Sequence, residues 1–383
     1  MNISEISLSD PDITPAELQA VDTAMRSPRL SSGPMVETFE REFAQYCNRA
    51  HGVAVSSSTI ALAMILQAQY VGLGDEVIVS SHSWYEIAHA ILLVGATPIL
   101  VDIDYWTGTI DPTKVALAIT SHTKALIAGN TNGHPAFWNE LRKISSEYGL
   151  TLIEDSTEAI GSLYRDVRVG GFGDCAIFDF SQPSSLICGE AAMIVTDNAD
   201  LASHLRHLRS RKLDERDSVV HTAIAPWRAT MSDINAALGL SQLRRIDDIL
   251  YKRQRVANWY DDYVQSFEGI KPPYIGDDTT QVNWLFYMVH LGTRFSRSSR
   301  DAIIEDLRKE GIDSHFYSTP LHQQRRYFEF GKRRAALWVT EKIADRALVL
   351  PLHTHLTENH VAFVVESLKD ASINVGAGAA IYL

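Results

Sequence analysis

Seven short apolar segments, separated by stretches of helical periodicity, run through the first two thirds of the chain. They are Val53–Ser56, Glu76–Ser80, Thr97–Asp102, Ala125–Ala128, Thr151–Glu154, Cys175–Phe178 and Ala192–Thr196. Most are rich in β-branched residues, and Gly, Pro, Asp or Ser bound them, which is typical of buried strands. Amphipathic stretches such as Ile60–Val71 and Tyr85–Val94 lie between several of them. This alternation predicts an α/β fold with a mostly parallel sheet covered by helices on both faces.

The last third of the chain predicts a second, smaller domain. Ser232–Arg255 has the pattern of one long helix, and we expect it to link the two domains. Helical segments such as Ser298–Glu310 and a strand segment, Trp284–Leu291, follow it, which indicates an α+β domain. We therefore place the large domain, with an N-terminal arm, at residues 1–245 and the small domain at residues 246–383.

The composition indicates a globular protein without a nucleic-acid or membrane partner. The formal net charge of −12 disfavours nucleic acid, and the chain has neither a signal-peptide pattern nor an apolar segment near the ~20 residues that span a bilayer. Cys47, Cys175 and Cys188 lie in apolar contexts, which suits a reducing compartment, so we expect a cytoplasmic protein. His353 and His355 have no third ligand at metal spacing, and we expect no metal site.

Two polar motifs follow predicted strands. SSSTIAL (56–62) opens a helix, so its backbone N–H groups, hydroxyls and helix dipole could hold a phosphate, although such residues also cap ordinary helices. IEDSTEAIGS (153–162) ends a strand with two acids, and Asp155 could face a ligand or simply cap a helix. Ligands of open α/β sheets bind beyond the carboxyl ends of the strands, so we expect a site there.

The segment CAIFDFSQPSSLICGEAAMIVTD (175–197) resembles the signature of the DegT/DnrJ/EryC1/StrS sugar aminotransferases, which runs roughly F-S-F-x-x-x-K-x-L-x-x-G-E-G-G. In that family the lysine forms the internal aldimine with pyridoxal phosphate (PLP). Ser184 falls at the position of the lysine, and the chain has no lysine between Lys143 and Lys212. A hydroxyl cannot form an imine, so we expect ordinary transamination to be impaired or replaced.

The resemblance assigns roles to both polar motifs and to one aromatic residue. The family has S-S-G-T at the phosphate loop, so Ser58 replaces a glycine and Thr59 is retained. Trp84, in HSWYEIAHAILLVGATPILVDID, matches an aromatic that stacks on the pyridine ring, although a core tryptophan would also fit this position. Asp155 matches the partner of the ring nitrogen. Glu158 replaces a Gln or His near the 3-oxygen of the cofactor, so either Glu158 is protonated or the ligand differs from PLP.

Further segments resemble the family up to LPLHTHLT near the C-terminus. Ser181 matches a position that supplies a phosphate hydroxyl. Arg228 aligns with an asparagine that reaches the neighbour's phosphate across a dimer, although a surface arginine fits equally well. DSHFYSTPLHQQ resembles a segment that shapes the sugar site, which makes His315, Tyr317 and His322 substrate candidates. The resemblance therefore implies a homodimer with the fold-type I PLP-transferase architecture, in which a mainly parallel, seven-stranded sheet forms the core of the large domain.

Three functions are compatible with the departures at the cofactor. The first is an enzyme that binds PLP or pyridoxamine phosphate (PMP) non-covalently and acts on a keto- or amino-sugar-like substrate. Serine is a poor base, so in that case Glu158 or His82 would assist Ser184. The second is a non-catalytic binding or scaffold protein that keeps the pocket. The third is a PLP-free enzyme, for example one that transfers acyl groups from Ser184 or Ser185, and it ranks last because no Ser–His–Asp order is identifiable.

Overall fold

The computed structural model describes residues 6–209, 226–264, 269–331 and 336–380. Its helices are α1 (Pro15–Met25), α2 (Pro34–Tyr46), α3 (Ser58–Ala68), α4 (Tyr85–Leu93), α5 (Pro112–Ala118), α6 (Trp138–Tyr148), α7 (Ala199–Arg209), α8 (Asp233–Arg244), α9 (Ile246–Val264), α10 (Arg297–Lys309), α11 (Phe328–Gly331), α12 (Trp338–Ala344) and α13 (Glu358–Ala380). Its strands are β1 (His51–Val55), β2 (Glu76–Ser80), β3 (Thr97–Val101), β4 (Thr123–Gly129), β5 (Thr151–Asp155), β6 (Leu163–Tyr164), β7 (Val167–Arg168), β8 (Cys175–Asp179), β9 (Ala192–Thr196), β10 (Ile270–Lys271), β11 (Thr279–Gln281), β12 (Tyr287–Leu291), β13 (His315–Phe316) and β14 (Ala347–Leu350).

The seven predicted strand segments all join one sheet, in the order β1-β9-β8-β5-β4-β2-β3. Only β9 within this sheet runs antiparallel to its neighbours, β8 and β1. Alternate residues of each strand pack on opposite faces, so that Val77 and Val79 meet α3 and α4 while Ile78 meets α5 and α6. Burial on both faces explains the unbroken apolar runs. The predicted α/β class with a mainly parallel sheet is confirmed.

Helix α3 differs from the amphipathic helix that we predicted for Ile60–Val71. Residues 61–66 are fully buried, because the sheet, α4 and α7 all contact the helix. A helix covered on nearly all sides needs no polar face. Its N-cap is Ser57, whose hydroxyl accepts the backbone N–H of Ile60. Because α3 follows β1 directly, its first turn lies at the carboxyl edge of the sheet.

The predicted long helix Ser232–Arg255 is wrong in one respect, since it is two helices that meet at Arg245. The guanidinium of Arg245 donates to Asp12 and Glu17, both at 2.9 Å. Before this break α8 packs on α1 and α2, and after it α9 packs on α13. The break lets each half lie against its own neighbours. Ser232 is the N-cap of α8, and its hydroxyl accepts the N–H of Asn235.

The C-terminal part forms a four-stranded antiparallel sheet, in the order β10-β12-β14-β13, with α9, α10 and α13 packed around it. Buried Arg253 of α9 donates to the carbonyls of Trp284, Leu285 and Leu352 and so fixes the segment that precedes β12. The division into domains at residues 245 and 246 stays a prediction. Within the described ranges, no helix is both long and apolar enough to cross a bilayer, and no group of three His, Cys, Asp or Glu residues is placed to hold a metal ion.

Candidate active site

A cavity of about 300 Å³ opens at the carboxyl edge of the large sheet. Loops that follow β1, β2, β5 and β8 form its wall, and Leu285 closes it from the C-terminal part. These loops bring six residues predicted from the sequence together: Ser58, Thr59, Trp84, Asp155, Glu158 and Ser181. Parallel strands explain this convergence, because their carboxyl ends meet at one edge.

Asp155, the last residue of β5, is a buried carboxylate in this wall. Its Oδ1 atom accepts the backbone N–H of Thr157 at 3.1 Å. Burial above all, and in smaller part the nearby carboxylates of Asp179 and Glu86, raise the pKa of Asp155 to about 6, although the hydrogen bonds from Thr157 lower it. Because its charge is poorly solvated, Asp155 favours a ligand that brings a positive group.

Glu158 accepts hydrogen bonds from three other segments of the chain. One of its oxygens accepts the indole N–H of Trp84, and the other accepts the backbone N–H of Asn132 and the hydroxyl of Tyr317. Burial raises the pKa of Glu158 to about 7, although these three hydrogen bonds lower it and so limit the rise. A carboxyl group with such a pKa can hold or release a proton near neutral pH. Of the predicted catalytic residues, only Glu158 lines the cavity.

His82 and Ser184 lie outside the cavity wall. His82 is buried behind Tyr317, with ring centroids 5.0 Å apart, and burial lowers its pKa to about 4. Ser184 is buried as well, and its hydroxyl accepts the backbone N–H of Leu186 at 3.3 Å. The structure therefore does not bring either side chain into contact with the cavity.

The substrate candidates are also dispersed. His315 is exposed on β13, and its Nδ1 atom lies 2.8 Å from the carbonyl oxygen of Phe316. Tyr317 lies behind the wall, where its hydroxyl donates to Glu158 and its ring meets that of Trp84 edge-on, with centroids 6.4 Å apart. Arg228 is exposed, has a left-handed backbone with φ of 56°, and does not line the cavity. The predicted homodimer, which rests on Arg228, stays a prediction.

His322 lies between a serine and a glutamate, which are the residue types of a hydrolase triad. Its Nδ1 atom lies 2.7 Å from the hydroxyl of Ser81, and its Nε2 atom lies 3.0 Å from a carboxylate oxygen of Glu341. Ser81, however, is fully buried and also accepts the backbone N–H of His322. A nucleophile must reach its substrate, so this chain of contacts fixes a turn to the end of β2 and does not supply the Ser–His pair that acyl transfer needs.

Asp179 is one of the cavity residues that the sequence analysis missed, with Glu86 and Glu190. Its Oδ2 atom accepts the backbone N–H of Ser58 at 3.0 Å, at the start of α3. Its Oδ1 atom accepts both the N–H and the hydroxyl of Ser181. The signal was present, because position 179 is the middle residue of the F-S-F pattern and carries Asp in place of Ser. Two of the residues that the resemblance places at the phosphate end, Ser58 and Ser181, thus donate to a carboxylate of the same chain.

All charged residues in the described lining of the cavity are acidic. Five carboxylate residues line it, namely Glu86, Asp155, Glu158, Asp179 and Glu190, and its described lining contains no Lys, Arg or His. One oxygen of Glu86 is buried without a hydrogen-bond partner. A pyridine ring fits beside Trp84 and Asp155, since a protonated ring nitrogen complements a carboxylate. A phosphate does not fit at the start of α3, where Asp179 already accepts the N–H of Ser58 and both donors of Ser181 and the described lining offers no cation to offset its charge.

Comparisons with known proteins agree on one family. The model of the DegT/DnrJ/EryC1/StrS aminotransferase family matches residues 11–369. Spore coat polysaccharide biosynthesis protein SpsC of Bacillus subtilis (strain 168) is 32% identical over 374 residues, which cover 94% of this chain and 95% of SpsC. GDP-perosamine synthase of Caulobacter vibrioides is 33% identical over 374 residues, with 97% and 100% covered.

The fold is that of the fold-type I PLP aminotransferases. The structure of the PMP form of Spr1654 from Streptococcus pneumoniae has a TM-score of 0.89 and 27% identity, and the match covers 98% of this chain and 99% of that one. Aminotransferases of this family use PLP. Each of these relatives is similar to this chain over nearly its whole length.

Proposed function

Because the chain belongs to the DegT/DnrJ/EryC1/StrS aminotransferase family, we propose that it acts on a keto- or amino-sugar-like substrate in the cavity beside Asp155, without lysine-based transamination. The observation that carries this proposal is a described cavity lining that contains no lysine. The resemblance of residues 175–197 to the family signature, which puts Ser184 at the lysine position, supports it. The sugar class is supported by the relatives, one of which is named for GDP-perosamine and another for a spore coat polysaccharide.

The carboxylates of Asp155 and Glu158 have different roles in this proposal. Asp155, at the end of β5, meets the positive charge of a ligand, either the ammonium of an amino sugar or a protonated ring nitrogen. Glu158 holds or accepts a proton, and Tyr317, Trp84 and Asn132 keep its carboxylate in place. PLP or PMP, when bound, supplies an electron sink opposite Asp155. Non-covalent binding of these cofactors stays a prediction, because the ring end of the cavity fits them and the phosphate end does not.

Asp155→Asn should weaken the binding of an amino sugar by at least about tenfold, because it removes the charge that faces the ammonium group. The test is calorimetric titration at pH 8, where a carboxyl group with a pKa of about 6 is ionised. The probes are GDP-perosamine and, as the matched control for the nucleotide, GDP-mannose, which lacks the amine. We expect the loss for GDP-perosamine and no change for GDP-mannose. If neither sugar binds below the millimolar range, the proposed substrate class is wrong.

A non-catalytic binding protein is the second candidate. It is favoured by the hydrogen bonds that the polar groups of the cavity already make within the chain. Asp179 accepts hydrogen bonds from Ser58 and Ser181, and Glu158 accepts three hydrogen bonds. Mass spectrometry of the sugar after incubation with the protein separates the two functions. Turnover that is lost in Glu158→Gln supports an enzyme, and binding without any product supports a binding protein.

A further inference from the structure

We propose that the Asp179 carboxylate takes the place of a cofactor phosphate at the start of α3, so that the cavity selects against ligands with a phosphate at this end. The inference deepens the proposed function, since it concerns which molecules the same cavity admits. It rests on the contacts of Asp179 and does not depend on the identity of the sugar.

The start of a helix binds anions because the N–H groups of its first turn have no partner within the helix. In α3 these groups belong to Ser58, Thr59 and Ile60. The N–H of Ser58 donates to Asp179 at 3.0 Å, and that of Ile60 donates to the hydroxyl of Ser57. Two of the three N–H groups that could hold an anion are therefore used by the chain itself.

The donors of Ser181 are also taken up by Asp179. Its N–H donates to Oδ1 of Asp179 at 2.8 Å, and its hydroxyl donates to the same oxygen. Asp179 thus accepts three hydrogen bonds from the two segments that the family resemblance assigns to phosphate binding. A carboxylate placed at a helix start with charge-assisted bonds is a stable arrangement without any ligand.

A phosphate entering this region would meet Asp179 at close range. Two anions at one set of donors repel, and the repulsion is strong where water is scarce. Glu190, which lies two residues before the strand partner of Asp179, also lines the cavity, and no described lining residue is cationic. The local charge therefore opposes a phosphate and tolerates an uncharged or cationic group.

Calorimetric titration with two vitamin B6 amines tests this inference directly. PMP and pyridoxamine share the ring and the amine, and only PMP has the phosphate. In the parent protein, PMP should bind no more tightly than pyridoxamine. Asp179→Ser restores the residue of the family pattern and should raise the affinity for PMP relative to pyridoxamine by about ten- to hundredfold.

Asp179→Asn is the matched variant, because it keeps an acceptor oxygen for the α3 N–H and removes the charge. It should also raise the PMP preference, and circular dichroism of both variants checks that they fold. An unchanged preference in the folded variants, or a parent protein that already prefers PMP strongly, would overturn the inference. The sugar titrations described above use other probes, so a failure of the sugar class leaves this result interpretable.

Discussion

Glu158→Gln is expected to flatten the pH dependence of the protein's stability between about pH 4.5 and pH 7. Burial raises the pKa of Glu158 from 4.5 to about 7, so in this range the folded state binds a proton that the unfolded state has released. The stability from this proton is complete below pH 4.5 and is lost as the pH rises towards 7. A pKa shift of that size corresponds to roughly 3 kcal/mol in the free energy of unfolding. Glutamine does not titrate, so this loss should be absent from the variant.

Urea unfolding of the parent and the variant at several pH values between 4 and 8 measures this effect. Tyr317→Phe is the companion variant, since it removes a hydroxyl that donates to the ionised carboxylate of Glu158. We expect its loss of stability to continue to higher pH, because the pKa of Glu158 rises further without that donor. The same slope in the parent and in Glu158→Gln would show that Glu158 does not titrate in this range.

Asn132→Ala is expected to lower the free energy of unfolding by about 3 kcal/mol. The side-chain amide of Asn132 accepts the backbone N–H of Phe286 at 3.0 Å and donates to its carbonyl oxygen at 3.1 Å. Both residues are buried, so alanine leaves two backbone groups without partners. Asn132 also has a left-handed backbone with φ of 50°, which alanine adopts at a cost of about 1 kcal/mol.

Asn132→Gly separates these two causes, because glycine adopts positive φ freely and lacks the amide. We expect it to lose about 2 kcal/mol by urea unfolding, so that the difference between the variants reports the backbone strain. Recovery of the parent's stability in the glycine variant would show that the amide bonds to Phe286 contribute nothing. The backbone N–H of Asn132 donates to Glu158, and its carbonyl oxygen accepts the N–H of Leu285. A shift of this segment after loss of the amide bonds to Phe286 should therefore weaken sugar binding in both variants as well.

The elements of the large sheet could be predicted because each strand carries its own local signal. Short β-branched runs bounded by turn residues identify strands wherever both faces are buried. The break between α8 and α9 carries no comparable signal, because Arg245 is held by Asp12 and Glu17, more than 220 positions earlier in the chain. Partners so distant in sequence are brought together only by the tertiary fold.

The sequence predicts which residues lie at the cavity where those residues stand at or just after the end of a strand. Asp155 ends β5 and Glu158 lies in the loop that follows it, so their place at the cavity follows from the parallel sheet. The direction of a side chain within a loop is not encoded in this way, and Ser184 and His82 turn away from the cavity. Asp179 was missed because its role depends on Ser58, which lies 121 positions away along the chain.

Reductive trapping with PLP tests the central claim, that no lysine of this protein holds the cofactor. The protein is incubated with equimolar PLP, reduced with borohydride, digested and analysed by peptide mass mapping. We predict no pyridoxyl-modified lysine beyond scattered, substoichiometric surface labelling, and no label on the peptide that contains Ser184. A stoichiometric adduct on one lysine, abolished by replacing that lysine with arginine, would contradict the account.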